Sequence, residues 1–342
     1  MIEIAIITVL LAFAFTFTNG FQDASAIAAT FIASRSASPK SGIIFIAGVT
    51  LIGAILGGSA VAFTISGLLI LDSPEPMLLV LLVALLTATI WNIITWKFAL
   101  PSSSTHSLIG GLIGGGIAAA GTGSIYWGLD ELLNPPHEVT GLVKILLFFV
   151  ISIVIGFAGS YLMHKCTGFL LRNAQRTINR PIVFLNWCAA AVMAFSNGAN
   201  DSQKQLGIIA LALFAAGLST AAEVPLWARV ACAILIAIGT MSGGWRIMNT
   251  LGRRIFKIEP IHSFDSQVFS SSSIALSTLA GAPVSSTQII TMSVIGVGAA
   301  GNPRKVKWSV GTHILIAMVV TMPVTIVISA ILYSVISLIA GV

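Results

Sequence analysis

Residues 17–23 read FTNGFQD and residues 195–201 read FSNGAND, and each stretch lies inside a long apolar run. A carboxylate near the centre of a bilayer costs about 2.5–3.5 kcal/mol on insertion scales, so an intramembrane Asp marks an ion or proton pathway by default. Here the cost is met twice, at Asp23 and Asp201. The whole chain fits a membrane setting. Of its 342 residues 56% are hydrophobic and 8% charged, with a mean hydropathy of +1.00, against about 25% charged in soluble domains. Apolar runs of about 20 residues, the length of a transmembrane helix, recur from end to end. These features imply an all-α, polytopic membrane protein with about ten membrane segments and exclude a soluble enzyme or a nucleic-acid-binding domain.

Basic residues set the expected orientation. The run Ile2 to Ala33 leads to Arg35 and Lys40, Ile43–Leu71 leads to Asp72 and Glu75, and Met77–Ala99 leads back to Lys97. A Gly-rich helix, His106–Gly121, then leads to Asp130, Glu131 and Glu138. Leu142–Met163 reaches the most basic loop, 164–181. Ile182–Ala216 ends near Glu223, and Val224–Met241 reaches Arg246, Arg253, Arg254 and Lys257. Ser266–Ala280, Gln288–Ala300 and Trp308–Leu338 complete the chain. All but three of the 17 basic residues (Lys144, Lys204 and Arg229) fall on one side, taken as cytoplasmic by the positive-inside rule. Both termini are then expected outside. Met1-Ile2-Glu3 has no basic region of a signal peptide, so the first run is expected to be retained as a span. Cys166, Cys188 and Cys232 show no ligand spacing and read as packing residues.

The two halves match. Each has an Asn-Gly-x-x-Asp segment, two further segments, then a Pro-x-Ser-Ser/Thr break and a Gly-rich helix. Asp23 and Asp201 are 178 positions apart, Pro101 and Pro283 are 182 apart, and the halves start on opposite sides. The expected division is a first inverted repeat at 1–141, a connecting span and loop at 142–181, a second repeat at 182–307, and a final span at 308–342. Inverted repeats with discontinuous helices are the architecture of many secondary transporters, with the site where the breaks meet.

The chemistry-bearing residues follow from this plan. Asn-Gly is expected to break each long helix, freeing carbonyl groups to coordinate a cation beside Asp23 or Asp201. Asn19, Asn197 and Asn200 add oxygens suited to Na⁺ or to a protonated Asp. The bland alternative is a structural pair, Asp201 with Lys204 one turn on; Asp23 has no such neighbour. PSSST (101–105) and PVSST (283–287) place hydroxyls and free N–H groups at helix starts, which favours an anion. Ser and Thr are also ordinary N-caps, but the symmetric pair argues for a tetrahedral oxyanion held between two helix ends. GGLIGGGIAAAG (110–121) follows no strand and has no Walker lysine, so it reads as helix packing. His106, at the first break, suits a proton or phosphate contact as well as packing, and Lys204 within NDSQKQ suits a functional or ion-pair role. His313 reads as structural, and the 164–181 loop as an orientation signal.

With those residues in view, the chain resembles the inorganic phosphate transporter (Pit) family over essentially its whole length. NGFQDASAIAATFIASR and FSNGANDSQKQLGIIAL match its duplicated signature, and PSSSTHSLIGGLIGGGI and PVSSTQIITMSVIGVG match its two breaks. The NDSQK segment is similar to the bacterial low-affinity members in particular. The resemblance implies a non-enzymatic secondary transporter of inorganic phosphate, as a homodimer in a bacterial inner membrane. Coupling to Na⁺ or H⁺ is implied, with a metal–phosphate complex as cargo in some members. It implies a phosphate site of Gln22, Asp23, Ser103, Ser104, Thr105, Asn200, Asp201, Ser285, Ser286 and Thr287. A cation site is implied at Asn19, Asp23, Asn197 and Asp201, with Gln203, Lys204 and His106 as further candidates. No cofactor or other metal is implied. Gln22 replaces the signature Asn, Gln288 stands where His often follows, and the central loop is short. A sulfate transporter, an anion channel and, on the two Asp residues alone, an intramembrane aspartyl protease are the competing readings. The last has no GxGD pattern to support it.

Overall fold

A computed structural model of the chain describes residues 1–135, 137–242 and 244–340. Its helices are α1 (Ile2–Ala33), α2 (Pro39–Leu56), α3 (Ala60–Ser66), α4 (Pro74–Lys97), α5 (Ser104–Ala120), α6 (Leu129–Leu133) and α7 (Gly141–Leu170). They continue as α8 (Asn179–Ala215), α9 (Leu226–Ser242), α10 (Trp245–Asn249), α11 (Pro260–Leu279), α12 (Ser286–Gly301) and α13 (Trp308–Ala340). The all-α expectation is met. Among the described residues, six helices (α1, α2, α4, α7, α8 and α13) are long and apolar enough to cross a membrane. With the shorter or more polar α5, α9, α11 and α12 they make a multi-pass membrane protein of about ten segments. The side chains of Arg176, Arg246 and Arg253, counted above on the basic side, lie outside the described residues.

The packing repeats with the halves exchanged. Helix α1 packs on α9 as α8 packs on α2, and α1 packs on α4 as α8 packs on α11. Helix α5 lies along α13, and α12 lies along α7. The long helices α1 and α8 touch each other at the centre. In the α4–α5 hairpin the arms are antiparallel, since Gly111 faces Ala84 and Gly115 faces Val80.

One expectation is corrected here. Helix α1 runs unbroken through Asn19-Gly20, and α8 runs unbroken through Asn197-Gly198. A glycine inside a helix costs only about 1 kcal/mol relative to Ala, whereas each backbone group left unpaired in a bilayer costs several kcal/mol, so continuity wins. The glycines serve close approach instead. A Cβ on Gly20 would overlap the Ile236 carbonyl and lie 3.1 Å from the Gly239 Cα of α9. A Cβ on Gly198 would overlap the Thr50 carbonyl of α2.

The Pro-associated breaks are real and nearly identical. Helix α4 ends with Ala99 at φ 55 and α11 with Gly281 at φ 64. Leu100 N–H donates to Thr95 O (2.9 Å) as Ala282 N–H donates to Ser277 O (2.8 Å), a Schellman closure at both ends. An L-residue in this region costs about 1–2 kcal/mol, while glycine's extra chain entropy costs roughly 0.5–1. Ala99→Gly is therefore expected to raise the melting temperature in detergent by a few degrees. An unchanged or lower midpoint would show that Ala99 is unstrained.

Three boundaries move. The expected span Ile43–Leu71 stops at Leu56, because Gly57 and Gly58 (φ +70) end α2 before the separate short helix α3. Helix α7 extends to Leu170, which shortens the basic loop to 171–178. The polar N-terminal turns of α11, from Pro260, precede the expected start at Ser266. Of the cysteines only Cys232 is buried, taking the Thr16 hydroxyl at 3.7 Å, while Cys166 and Cys188 are exposed. Two of the off-side basic residues cap helix ends, a favourable place for a cation. Lys144 Nζ donates to Ala280 O (2.8 Å) and Arg229 donates to Gly58 O (2.6 Å). The third, Lys204, lies at the centre of the molecule.

Candidate substrate and cation site

The two hairpin tips meet against the middle of α1 and α8. Asp23 lies ten residues from the end of α1, or about 15 Å along the helix at 1.5 Å per residue. That distance is half the thickness of a hydrocarbon layer of about 30 Å. Ser103 and Ser285 begin the tips as N-caps. The Ser103 Oγ accepts His106 N–H at 3.1 Å, and the Ser285 Oγ accepts Gln288 N–H at 3.3 Å. Their oxygens are turned to their own helices, and it is Ser104 of the first tip and Ser286 and Thr287 of the second that reach the carboxylates.

Asp23 accepts a hydrogen bond from each tip, from Ser104 Oγ at 2.9 Å and from Thr287 Oγ1. Asp201 accepts from Ser286 Oγ at 3.2 Å and from the Lys204 ammonium. Lys204 Nζ also donates to Thr105 Oγ1 (2.6 Å) and Val284 O (3.0 Å), and Thr105 Oγ1 donates to Val284 O at 3.0 Å. The first tip is thereby bonded directly to the second. Asp201 and Lys204 are 0% exposed and Asp23 is 2% exposed.

Gln22 and Asn200 hold the tips from one residue earlier. Gln22 Nε2 donates to Ser102 Oγ (2.6 Å) and Thr95 Oγ1 (3.2 Å), and Asn200 Nδ2 donates to Thr278 Oγ1 (2.9 Å) and Ala282 O (3.3 Å). Their carbonyl oxygens, with Oδ1 of Asn19 and of Asn197 one turn back, are buried without a hydrogen-bond partner among the described residues. Each such group carries a desolvation cost of about 1–3 kcal/mol. Carboxylate, amide and hydroxyl oxygens suit a hard cation or a proton. Among the described residues no three His, Cys, Asp or Glu come together as a transition-metal site.

Two candidates lie away from this centre. Gln203 turns to the α2–α3 corner, where its Oε1 accepts Val61 N–H (2.8 Å) and its Nε2 donates to Ala199 O (2.8 Å) and Gly57 O. His106 faces α13 and α7, with Nδ1 3.0 Å from Met318 O and its ring 4.0 Å from that of Phe149. Its counterpart Gln288 accepts from Ser152 of α7 at 3.3 Å. Both anchor a tip helix to its neighbour. Sequence reasoning missed Thr95, Ser102 and Thr278, which bond to Gln22 and Asn200. A hydroxyl six residues before each Pro, at Thr95 and Ser277, was the available signal for Thr95, but Thr278 lies one position later and had none. It also missed Asp265, a buried carboxylate of α11 that takes His164 Nδ1 (2.6 Å) and Thr167 Oγ1 (2.9 Å) from α7.

The profile of the phosphate transporter family matches residues 19–183 and again 171–329. The chain belongs to the phosphate transporter family. The double match falls on the two halves that carry the paired Asp residues. A protein of Bacillus subtilis (strain 168) named "Probable low-affinity inorganic phosphate transporter" is 32% identical over 99% of both chains. A Rhizobium meliloti (strain 1021) protein of the same name is 36% identical over 95% of this chain and 94% of its own. A solved structure described as "The sodium-dependent phosphate transporter" superposes with a TM-score of 0.87, at 22% identity, over 98% of this family member and 100% of the other chain. That likeness is one of fold.

Proposed function

We propose that this family member imports inorganic phosphate by alternating access, driven by Na⁺ or H⁺. One observation carries the reading: Asp23 takes one hydroxyl from each hairpin tip, so a single intramembrane carboxylate links both helix starts that suit an oxyanion. The names of the relatives favour phosphate as that oxyanion. Phosphate would take the hydroxyls of Ser104, Thr105, Ser286 and Thr287 and the first-turn N–H groups of α5 and α12, with the amides of Gln22 and Asn200 beside it. Ser103 and Ser285 would act by capping. A dianion in a low-dielectric centre is heavily penalised unless its charge is balanced. That is the physical reason for coupling, and Asp23 with Asn19, and Asp201 with Asn197, offer oxygens to positive charge, whether a mobile cation or a fixed one.

The repeats at 1–141 and 182–307 would move against each other, with 142–181 and 308–342 supplying the flanking helices α7 and α13. The same reading places a homodimer in the cell membrane, an inner membrane in bacteria, with both termini outside. Transport needs no catalytic group, and none is assigned.

Sulfate is the second reading, since it is also a tetrahedral dianion. HPO₄²⁻ carries a proton donor that a carboxylate can accept, and sulfate does not, which favours phosphate. The test is uptake of labelled phosphate by proteoliposomes under separately imposed Na⁺ and H⁺ gradients, with and without excess sulfate. Accumulation above equilibrium under one gradient, unaffected by sulfate, is expected. Equal competition by sulfate would overturn the substrate, and flux that never exceeds equilibrium would make the protein a channel.

A further inference from the structure

Lys204 breaks the internal symmetry at the one place where charge is counted. The two motifs align with Asp23 on Asp201 and the two tips with Ser104 on Ser286 and Thr105 on Thr287. Asp23 takes Ser104 from one tip and Thr287 from the other. Symmetry would give Asp201 the hydroxyls of Ser286 and Thr105. It has Ser286, but the Thr105 position is intercepted by the Lys204 ammonium, which sits between carboxylate and hydroxyl. The residue three positions after Asp23 is Ala26, a methyl group with no charge. Among the described residues, one half therefore carries a covalently attached cation on its carboxylate and the other carries none.

The ammonium is also saturated. Its three N–H groups go to Asp201, Thr105 and Val284 O, and its side chain is 0% exposed. A buried ion pair adds little net stability against an apolar replacement, but an unpaired buried charge is costly. This geometry suits a fixed counter-charge better than a group that binds and releases phosphate at each cycle, since all its donors are already engaged.

We infer that Lys204 is a tethered cation that occupies, at Asp201, the place a mobile coupling cation takes at Asp23, so that transport needs one fewer mobile cation per phosphate than a symmetric site would. This inference rests on the coupled-transport reading above. Lys204 is thus a specificity residue for stoichiometry, set in the same network as the substrate hydroxyls. Because Nζ holds Thr105 and the Val284 carbonyl, it also keeps the two tips together without waiting for a cation on that side. Closure would depend on the cation at Asp23 alone.

The experiment is phosphate uptake into proteoliposomes as a function of the driving cation, for wild type, Lys204→Ala, Lys204→Arg and the double variant Asp201→Asn/Lys204→Ala. Lys204→Ala recreates the Ala26 side of the site and leaves Asp201 bare. The exponent relating uptake to cation concentration is expected to rise by about one, by mass action for one added bound ion. Lys204→Arg, which keeps the charge, and the double variant, which removes both charges, are expected to keep the wild-type exponent even where the rate falls. An unchanged exponent in Lys204→Ala overturns the inference. Should Lys204→Ala not fold, the double variant decides: the wild-type exponent supports the tethered charge, and a changed exponent or loss of phosphate binding in the folded double variant overturns it. Wild-type uptake that follows neither a Na⁺ nor a H⁺ gradient would instead overturn the coupling reading itself.

Discussion

Asp23→Asn should abolish gradient-driven phosphate uptake, by on the order of 100-fold or more, while leaving a folded, membrane-inserted protein. The substitution is isosteric. Its amide can still meet the Ser104 and Thr287 hydroxyls, which rotate to suit a donor or an acceptor. What disappears is the negative charge that a coupling cation neutralises. Removing one member of a buried charge pair costs about 2–5 kcal/mol, and about 3 kcal/mol corresponds to roughly 100-fold. Passive exchange is expected to survive better than accumulation, because the hydroxyls and helix N-termini remain. Normal accumulation in proteoliposomes by Asp23→Asn would remove this carboxylate from the coupling mechanism.

Gly20→Val should have the largest effect on folding. The new side chain would push its Cβ into the Ile236 carbonyl and against the backbone of Gly239, where nothing flexible can give way. Overpacking in a dense interior costs about 1–3 kcal/mol, and a clash with backbone on both helices belongs at the upper end. The α1–α9 contact must then open, moving the helix that carries Asp23. Gly48→Val in α2 is the control, since among the described residues no heavy atom other than its own helix's nearby backbone lies within 4 Å of the added Cβ. Thermal unfolding of the purified proteins in detergent should separate them, with Gly20→Val strongly destabilised and Gly48→Val near wild type. Equal stability of the two would contradict close packing as the role of Asn-Gly.

That contrast shows what the sequence could and could not reveal. Hydropathy runs mark the spans because their length is fixed by the bilayer, and the paired Asp and Pro-Ser/Thr motifs announce the symmetry directly. Pro101 and Pro283 report breaks correctly, since a missing N–H is a local fact. Gly20 and Gly198 do not, because a glycine that frees the backbone and one that lets another helix approach look the same until the partner helix is placed. The roles within each tip were hidden for a similar reason. Ser103 and Ser104 are chemically identical, and only the helix start decides which one caps and which one reaches Asp23. The pairing of Lys204 with Asp201 was legible from their spacing. Its further engagement with Thr105 and Val284 required both tips, brought from 99 and 80 residues away.

The central claim is that one buried site binds phosphate and its coupling cation together. Equilibrium binding of labelled phosphate to the purified protein, with and without the driving cation, tests it most directly. Linkage requires that if the cation tightens phosphate binding, phosphate tightens cation binding by the same factor. The expected result is a phosphate affinity that rises with cation in wild type and becomes insensitive to it in Asp23→Asn. Phosphate affinity independent of the cation in wild type, or equally dependent on it in Asp23→Asn, would contradict the account.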